Sequence, residues 1–280
     1  MRFSKWQGLG NDFVLLDCRE KPLDNPAEWS IRLCDRHFGI GADGLALLER
    51  SQVADLRMRL INNDGSEAEM CGNLIRCVAR YAYENGLISG TSLTVETLAG
   101  IMRPELLLEN GQAARVRVDM GRPRLTKGEI PVGGDPTAPA NPIDITLPDG
   151  RTFVGTCVSM GNPHVVIFVD NLADVALADV GPQLETHPLF PKKVNVEFAQ
   201  VLAPDAVRMR VWERGAGITL ACGTGSCATL VAGVLTGRLS RKAMVRLDGG
   251  DLEIEWPADD ASVFMTGPAT EVFCGEWLNR

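Results

Sequence analysis

The hydrophobic positions of this chain form two similar series. In the first half, a strand-like run at residues 13–16 and an alternating run at 56–61 precede an apolar segment with helical spacing. In the second half, runs at 165–169 and 207–212 precede a segment of the same kind. Because each helical segment is apolar nearly all round, the pattern predicts one buried helix in each half.

The ends of these helices are marked in the sequence. The helical spacing begins just after Cys71 in the first half and just after Cys222 in the second. Gly86 and Gly237 follow the last apolar positions and are typical helix stops. Turn residues further on predict a hairpin after each helix. We therefore expect an α+β fold with mostly antiparallel strands and a helix inside a curved sheet in each half.

The two series are related by an internal repeat. The offset that aligns Cys71 with Cys222, 151 residues, aligns many other positions without a gap. The identical residues include Gly10, Asn11, Arg57, Met58, Arg59 and Gly72, which meet Gly161, Asn162, Arg208, Met209, Arg210 and Gly223. The repeat predicts two homologous domains related by an approximate two-fold axis. We place them at residues 1–120, completed by 266–280, and at 121–265, with a Pro/Gly-rich junction at 121–150.

Composition excludes several classes of function. The 280 residues carry a net charge of −8 without any Lys/Arg run, which argues against nucleic acid and acidic membranes as partners. The N-terminus lacks the apolar stretch of a signal peptide, and no apolar run has the length of a membrane span. We therefore expect a cytoplasmic protein with reduced thiols.

The metal-ligating and redox residue types are not arranged in known patterns. None of the eight cysteines forms a CxxC pair, and the three histidines have no metal-ligand spacing. We therefore expect no metal site. The segment 39–44 matches a dinucleotide-binding motif literally, but it lacks the preceding strand and following helix that such a site requires. Most of the cysteines are expected to be small buried side chains.

Cys71 and Cys222 are the exceptions, because each directly precedes a predicted helix. The helix dipole and the free N–H groups of the first turn are expected to lower the pKa of each thiol. The two-fold relation would aim the two helix starts at each other. The backbone N–H groups of Gly72, Asn73, Gly223 and Thr224 would then bind a carboxylate. This pattern indicates proton exchange at a carbon beside a carboxylate, with one thiol as base and the other as acid. A redox pair remains an alternative.

Five segments together resemble the diaminopimelate epimerase family, over essentially the whole chain. They are residues 8–13, 62–73, 161–164, 194–198 and 213–225. The resemblance implies two pseudo-symmetric domains, each a curved, barrel-like sheet around a central helix, usually in a homodimer. It implies an isomerase that interconverts LL- and meso-diaminopimelate for lysine and peptidoglycan synthesis, without pyridoxal phosphate, metal or other cofactor.

The resemblance also assigns roles to residues. Cys71 and Cys222 correspond to the acid/base thiols, and His164 and Glu213 to the pair that tunes them. The positions that match substrate-binding residues are Asn11, Asn62, Gly72, Asn73, Asn162, Asn195, Glu213, Arg214, Gly223 and Thr224. Glu213 suits an ammonium group, and the planar guanidinium of Arg214 suits the carboxylate at the far end of a diamino diacid.

Some residues depart from the family pattern. Leu74 and Ile75 replace the small residues that usually follow Cys-Gly-Asn. Ile218 occupies a position that is usually glutamate, and Gly44 one where some members have glutamine. These departures leave substrate preference open. The alternatives are a related cofactor-independent racemase of the histidine or proline type, the phenazine-type isomerase that lacks the paired cysteines, and a binding module without catalysis.

Overall fold

A computed structural model describes residues 1–278 of the chain. It divides into two compact units, residues 1–119 with 266–278 (unit 1) and residues 120–265 (unit 2). In chain order the elements are β1 (Arg2–Gly8), β2 (Asn11–Asp17), α1 (Pro26–Cys34), β3 (Gly44–Glu49), β4 (Leu56–Asn62), β5 (Glu67–Ala68), α2 (Gly72–Glu84), β6 (Val95–Thr97), β7 (Gly100–Met102), β8 (Glu105–Glu109), β9 (Gln112–Asp119), β10 (Ile143–Thr146), β11 (Thr152–Ser159), β12 (Pro163–Phe168), a 3₁₀ turn (Leu172–Asp174), α3 (Leu177–Glu185), β13 (Asn195–Ala203), β14 (Ala206–Glu213), β15 (Gly217–Thr219), α4 (Gly223–Leu235), β16 (Lys242–Leu247), β17 (Gly250–Glu255), β18 (Phe264–Gly267) and β19 (Thr270–Glu276).

The sheet of unit 1 has the order β19-β1-β2-β3-β4-β6-β7, with β5 paired to β4. Its strand pairs are antiparallel except β2–β3 and β4–β6. Leu45, Ala46, Leu47 and Leu48 of β3 are all fully buried, so this strand is covered on both faces. On one face α1 contributes Leu33 to the core. Helix α2 packs against β1 and the β8–β9 hairpin.

Unit 2 repeats this arrangement. Its strands follow the order β10-β11-β12-β13-β14-β16-β17, with β15 paired to β14. The parallel pairs β12–β13 and β14–β16 stand where unit 1 has β2–β3 and β4–β6. Helix α4 packs against strands from β11 to β17, as expected of a sheet that curves around it. The predicted α+β class, with curved and mostly antiparallel sheets, is confirmed, although neither sheet closes into a barrel.

The two central helices match the sequence prediction closely. Helices α2 and α4 each have 13 residues and begin directly after extended N-cap residues, Cys71 and Cys222. Gly86 and Gly237 follow the helix ends at φ values of 66° and 67°, a left-handed conformation that glycine adopts without strain. Ten of the 13 residues of α4 are buried, which explains why its pattern is apolar all round.

The sequence did not predict a second helix in each half. Each unit has a second helix of nine residues, α1 and α3, at repeat-related positions. Their sequence signals are weak. Asn25 caps α1 in a left-handed conformation and makes no side-chain hydrogen bond, and Pro182 lies inside α3.

Arg76 of α2 is a fully buried cation that ties the C-terminal segment to unit 1. Its guanidinium donates to the carbonyl oxygens of Pro268 and Gly72 and to Oδ1 of Asn73, each at 3.0 Å. A Cβ at Gly8 would lie 2.9 Å from Nη2, so the guanidinium fills the space beside that glycine. The segment after β18 is thereby fixed against the start of α2.

Arg76→Met is expected to lower the free energy of unfolding by about 2 kcal/mol, because it leaves buried carbonyl groups without donors. Denaturant unfolding measures this change. Arg80→Met is the control, because Arg80 donates to the neighbouring Ala269 carbonyl from a partly exposed position. Equal loss in the two variants would contradict the role assigned to Arg76.

None of the helices within residues 1–278 combines the length and the apolar character needed to cross a membrane.

Candidate active site

The start of α2 in unit 1 carries Cys71 and two asparagines. Cys71 Sγ donates to Asn11 Oδ1 at 3.6 Å, and Asn73 Nδ2 donates to the same oxygen at 3.1 Å. Asn11 is the first residue of β2, so its side-chain amide connects the start of this strand to the first turn of α2. Three residues that the sequence singled out are therefore in contact around the Cys71 sulfur.

Asp43 orients that amide and was missed by the sequence analysis. Asn11 Nδ2 donates to Asp43 Oδ2 at 2.7 Å, which leaves the amide oxygen directed at Cys71. Arg36 donates to Asp43 Oδ1 at 2.8 Å and to Asp12 at 2.7 Å, which fixes the carboxylate in turn. Asp43 belongs to the 39–44 segment. The only available signal was this Gly-rich loop, which leads into strand β3 and not into a helix.

The start of α4 in unit 2 carries the second thiol. Cys222 Sγ accepts a hydrogen bond from Gly225 N at 3.3 Å and lies 3.6 Å from Thr224 Oγ1. The side chain is buried, with 5% of the residue exposed. Burial raises the pKa of the Cys222 thiol, and the nearby carboxylates of Glu213 and Glu197 raise it further, against the donors Thr224 and Gly225.

The expected lowering of this thiol pKa was therefore wrong for Cys222. The helix N-terminus does supply a donor, but desolvation and two carboxylates act in the opposite direction and are stronger. The raised pKa favours the protonated thiol form of Cys222.

Glu213 lies at the end of β14, beside Cys222. Burial raises the pKa of the Glu213 carboxyl, opposed by a hydrogen bond from Thr219, by His164 and by the Cys222 thiol. Thr219 Oγ1 donates to Glu213 Oε1 at 2.5 Å across the β14–β15 hairpin. A carboxylate with a raised pKa is a stronger base, so Glu213 is suited to accept the Cys222 proton.

Asn162 is the repeat partner of Asn11, and it also contacts the first turn of the central helix of its unit. Its Nδ2 donates to Thr224 Oγ1 at 3.3 Å, where Thr224 is the repeat partner of Asn73. Its Oδ1 lies 3.0 Å from Nε2 of His164. In each unit an asparagine side chain, Asn11 or Asn162, is thus hydrogen-bonded to the first turn of the central helix.

Asn195 and Arg214 form a second contact in unit 2. Asn195 Nδ2 donates to the Pro163 carbonyl at 2.8 Å, and its Oδ1 accepts from Arg214 N at 2.9 Å. The Arg214 guanidinium donates to the Lys192 carbonyl at 3.1 Å and is exposed. The remaining guanidinium donors are suited to a carboxylate.

Asn62 makes a local contact. Its Nδ2 donates to Ser66 Oγ at 3.0 Å within the turn that joins β4 and β5. Gly72 and Gly223 are the first residues of α2 and α4, where backbone N–H groups have no helical acceptor.

The departures from the family pattern are explained only in part. Leu74 and Ile75 are fully buried in α2, so their bulk packs into the core of unit 1. A Cβ at Gly44 would lie 2.8 Å from Leu60 Cδ1, so this position has no room for a longer side chain without a shift. Ile218 is 43% exposed on β15, and nothing in the structure explains it.

Glu197 is the second residue that the sequence analysis missed. It lies on β13, where its Oε1 is 2.7 Å from Nδ1 of His164, and both side chains are fully buried. The available signal was an acidic residue between the apolar residues Val196 and Phe198, since a buried carboxylate is rare unless it is paired. Among residues 1–278 no group of three or more His, Cys, Asp or Glu side chains is placed to hold a metal ion.

Solved structures share this fold at low sequence identity. A hydroxyproline epimerase from Agrobacterium vitis matches with a TM-score of 0.66 and 17% identity, over 98% of this chain and 90% of that one. A phenazine biosynthesis protein from Bacillus anthracis matches with a TM-score of 0.67 and 18% identity, over 99% of each chain. These likenesses establish the fold.

Sequence relatives are much closer. A diaminopimelate epimerase from Pelotomaculum thermopropionicum is 55% identical over 100% of both chains, and one from Desulforudis audaxviator is 56% identical over 99% of both. One from Methanococcus maripaludis is 51% identical over 99% of both. The family model described as diaminopimelate epimerase matches residues 3–126 and 156–272. The chain belongs to the diaminopimelate epimerase family.

Proposed function

We propose that this protein interconverts LL- and meso-diaminopimelate, with Cys71 and Cys222 as the two acid/base thiols. The observation that carries the proposal is the matched placement of the two cysteines as N-cap residues of α2 and α4. In unit 1, Asn11 contacts both Cys71 Sγ and Asn73 in the first turn of α2. In unit 2, Gly225 N donates to Cys222 Sγ, and Asn162 donates to Thr224 in the first turn of α4. The names of relatives that are 51–56% identical support the substrate.

The proposed reaction moves one proton off the α-carbon and another onto it. A thiolate on one face removes the α-proton, and the electron pair left on carbon is delocalised into the adjacent carboxylate. The thiol on the other face then donates its proton to that carbon, which inverts the centre. Backbone N–H groups of Gly72, Asn73, Gly223 and Thr224 are the proposed donors that stabilise the developing negative charge.

The electrostatics of Cys222 favour one starting state. Because burial and two carboxylates raise its pKa, Cys222 begins as the thiol that donates a proton. In the opposite direction it must first lose that proton, and Glu213 is the proposed acceptor. His164 is the proposed second tuning residue, through its contact with Asn162.

The far end of the substrate is a second amino acid head group. Arg214 is proposed to bind its carboxylate, Glu213 its ammonium, and Asn11, Asn62, Asn162 and Asn195 to supply neutral donors and acceptors. A planar guanidinium can hold both carboxylate oxygens, which a single ammonium cannot do in the same geometry.

Arg214→Lys is therefore expected to raise KM for diaminopimelate by about tenfold with a smaller change in kcat, because the lost contact is made equally in the ground and transition states. Steady-state kinetics measures the changes in KM and kcat separately. Arg246→Lys, an exposed substitution on β16, is the control. A fall in kcat at constant KM would contradict the binding role.

Deuterium uptake at the α-carbon tests the proposed substrate. The enzyme is incubated in D₂O with diaminopimelate, proline, hydroxyproline and histidine, and exchange is followed by NMR. Uptake and inversion are expected with diaminopimelate. Uptake with another amino acid but none with diaminopimelate would refute the proposal and favour a related racemase. No exchange with any of them would favour a binding module.

We also propose, from the resemblance, that the protein works without a cofactor as a cytoplasmic homodimer in lysine and peptidoglycan synthesis. The mass in solution, measured by light scattering, tests the dimer. A monomer that is fully active at all concentrations would contradict it.

A further inference from the structure

The buried carboxylate of Glu197 orients the ring of His164, and both side chains are fully buried. A carboxylate only accepts hydrogen bonds, so a proton lies between Glu197 Oε1 and His164 Nδ1, which are 2.7 Å apart. On the other side of the ring, Nε2 faces Asn162 Oδ1 at 3.0 Å, because the Asn162 amide nitrogen donates to Thr224. Both ring nitrogens of His164 thus face an oxygen atom, which holds the ring in place between Glu197 and Asn162.

Hydrogen bonds satisfy the Glu197 carboxylate only in part. Within residues 1–278, its second oxygen, Oε2, is buried and accepts no hydrogen bond. An incompletely paired buried carboxylate is costly, and proteins retain few of them without a functional reason.

The carboxylate lies against the first turn of α4. A Cβ at Gly225 would be 2.6 Å from Glu197 Oε1 and 3.2 Å from Cys222 Sγ. Gly225 is therefore the residue whose missing side chain allows the carboxylate and the thiol to occupy neighbouring positions. The titratable groups around Cys222 are Glu197 on β13, Glu213 on β14 and His164 on β12.

The internal repeat shows that the fold does not require this pair. At the offset of 151 residues, His164 corresponds to Phe13 and Glu197 to Ala46. Both of these are buried, in strands with the same parallel pairing as β12 and β13. The same backbone thus carries an apolar pair in unit 1 and a charged pair in unit 2.

We propose that Glu197 is a positioning residue for the reaction, which fixes the proton on the Glu197 side of His164 and holds a negative charge beside Cys222. This inference rests on the proposed function, since it assigns Glu197 to the same site. It acts through His164 and Cys222 and does not require contact with substrate.

Glu197→Gln tests the proposal, because glutamine has nearly the same shape without the charge. We expect kcat for diaminopimelate to fall about tenfold, with KM changed less than about threefold. The pH midpoint of Cys222 alkylation by iodoacetamide, followed by peptide mass mapping, is expected to move down, because a neighbouring negative charge is removed. The Nδ1–H signal of His164, one of three histidines, is expected to move upfield in the NMR spectrum, because a neutral amide oxygen is a weaker acceptor than a carboxylate.

Two variants serve as comparisons. Asp149→Asn removes an exposed carboxylate from the same unit and is expected to change neither kcat nor the alkylation midpoint. Glu197→Asp keeps the charge, so the alkylation midpoint is expected to remain near that of the unmodified protein while kcat falls.

The outcomes separate the two proposals. A folded Glu197→Gln protein with unchanged kcat, alkylation midpoint and His164 spectrum overturns the role of Glu197. If the Gln variant does not fold, the Asp variant decides, and an unchanged kcat together with an unchanged His164 signal overturns it. If the unmodified protein does not act on diaminopimelate but the alkylation shift is seen, the proposed function fails and the electrostatic role of Glu197 is supported.

Discussion

Cys71→Ser and Cys222→Ser are each expected to lower kcat for diaminopimelate epimerisation by about 10²- to 10⁴-fold, the usual contribution of a general acid or base. A serine hydroxyl has nearly the shape of a thiol but neither gains nor loses a proton readily near neutral pH. The loss is therefore one of proton transfer, and KM should change little. Kinetics on separate LL and meso substrates measures both parameters.

A sharper result is expected from deuterium exchange in the same variants. With one thiol left, a proton can be removed and replaced only on the face that this thiol serves. Each variant should therefore take up deuterium without inversion from one isomer of diaminopimelate, and the two variants should prefer opposite isomers. NMR in D₂O detects the uptake, and chiral chromatography detects the inversion.

Cys274→Ser is the matched control, because Cys274 is an exposed thiol on β19 with no proposed part in the reaction. It should retain full activity. Full inverting activity in either Cys71→Ser or Cys222→Ser would rule out the two-thiol mechanism. Uptake from both isomers by a single variant would show that one base reaches both faces.

The parts of the fold that the sequence predicts well are those with local signals. Cys71 and Cys222 mark the starts of α2 and α4, and the glycines at 86 and 237 follow their ends, because N-caps and left-handed glycines act within one helical turn. Helices α1 and α3 were not predicted, since each has only nine residues and an atypical terminus or an internal proline. Their formation depends on packing against the sheet, which no local pattern records.

In the candidate site, too, the residues within recognisable motifs were predicted and those brought together only by folding were not. Motif resemblance singles out Asn11 and Asn162. The structure places Asn11 at the start of β2 and Asn162 directly before β12, each in contact with the first turn of a helix. Asp43 and Glu197 could not be identified, because their partners are 32 and 33 residues away and meet them only in the folded sheet. The direction of the Cys222 pKa shift was mispredicted for the same reason, since burial in the folded unit raises the pKa most and the carboxylates that raise it further come from β13 and β14.

Glu213→Gln is expected to lower kcat by about 10²-fold at neutral pH, because the variant loses the proposed base for the Cys222 proton. Thr219 can still donate to the amide oxygen of glutamine, so the β14–β15 hairpin should be preserved. The loss should be larger for the isomer whose reaction begins with a Cys222 thiolate than for the opposite isomer. Initial rates from separate LL and meso substrates reveal this asymmetry.

The pH dependence of this variant separates the base from a merely structural residue. Burial raises the pKa of Glu213, so a rising limb of activity is expected in the unmodified protein as this carboxyl ionises above its usual range, and the limb should vanish in Glu213→Gln. The carboxylate also raises the pKa of Cys222, so its removal should move formation of the Cys222 thiolate to lower pH. Activity of the variant should therefore recover in part under alkaline conditions, where the thiol ionises without a neighbouring base. Glu213→Gln kinetics that keep the acidic limb, or show no alkaline recovery in a folded protein, would contradict the assignment of Glu213 as the base for Cys222.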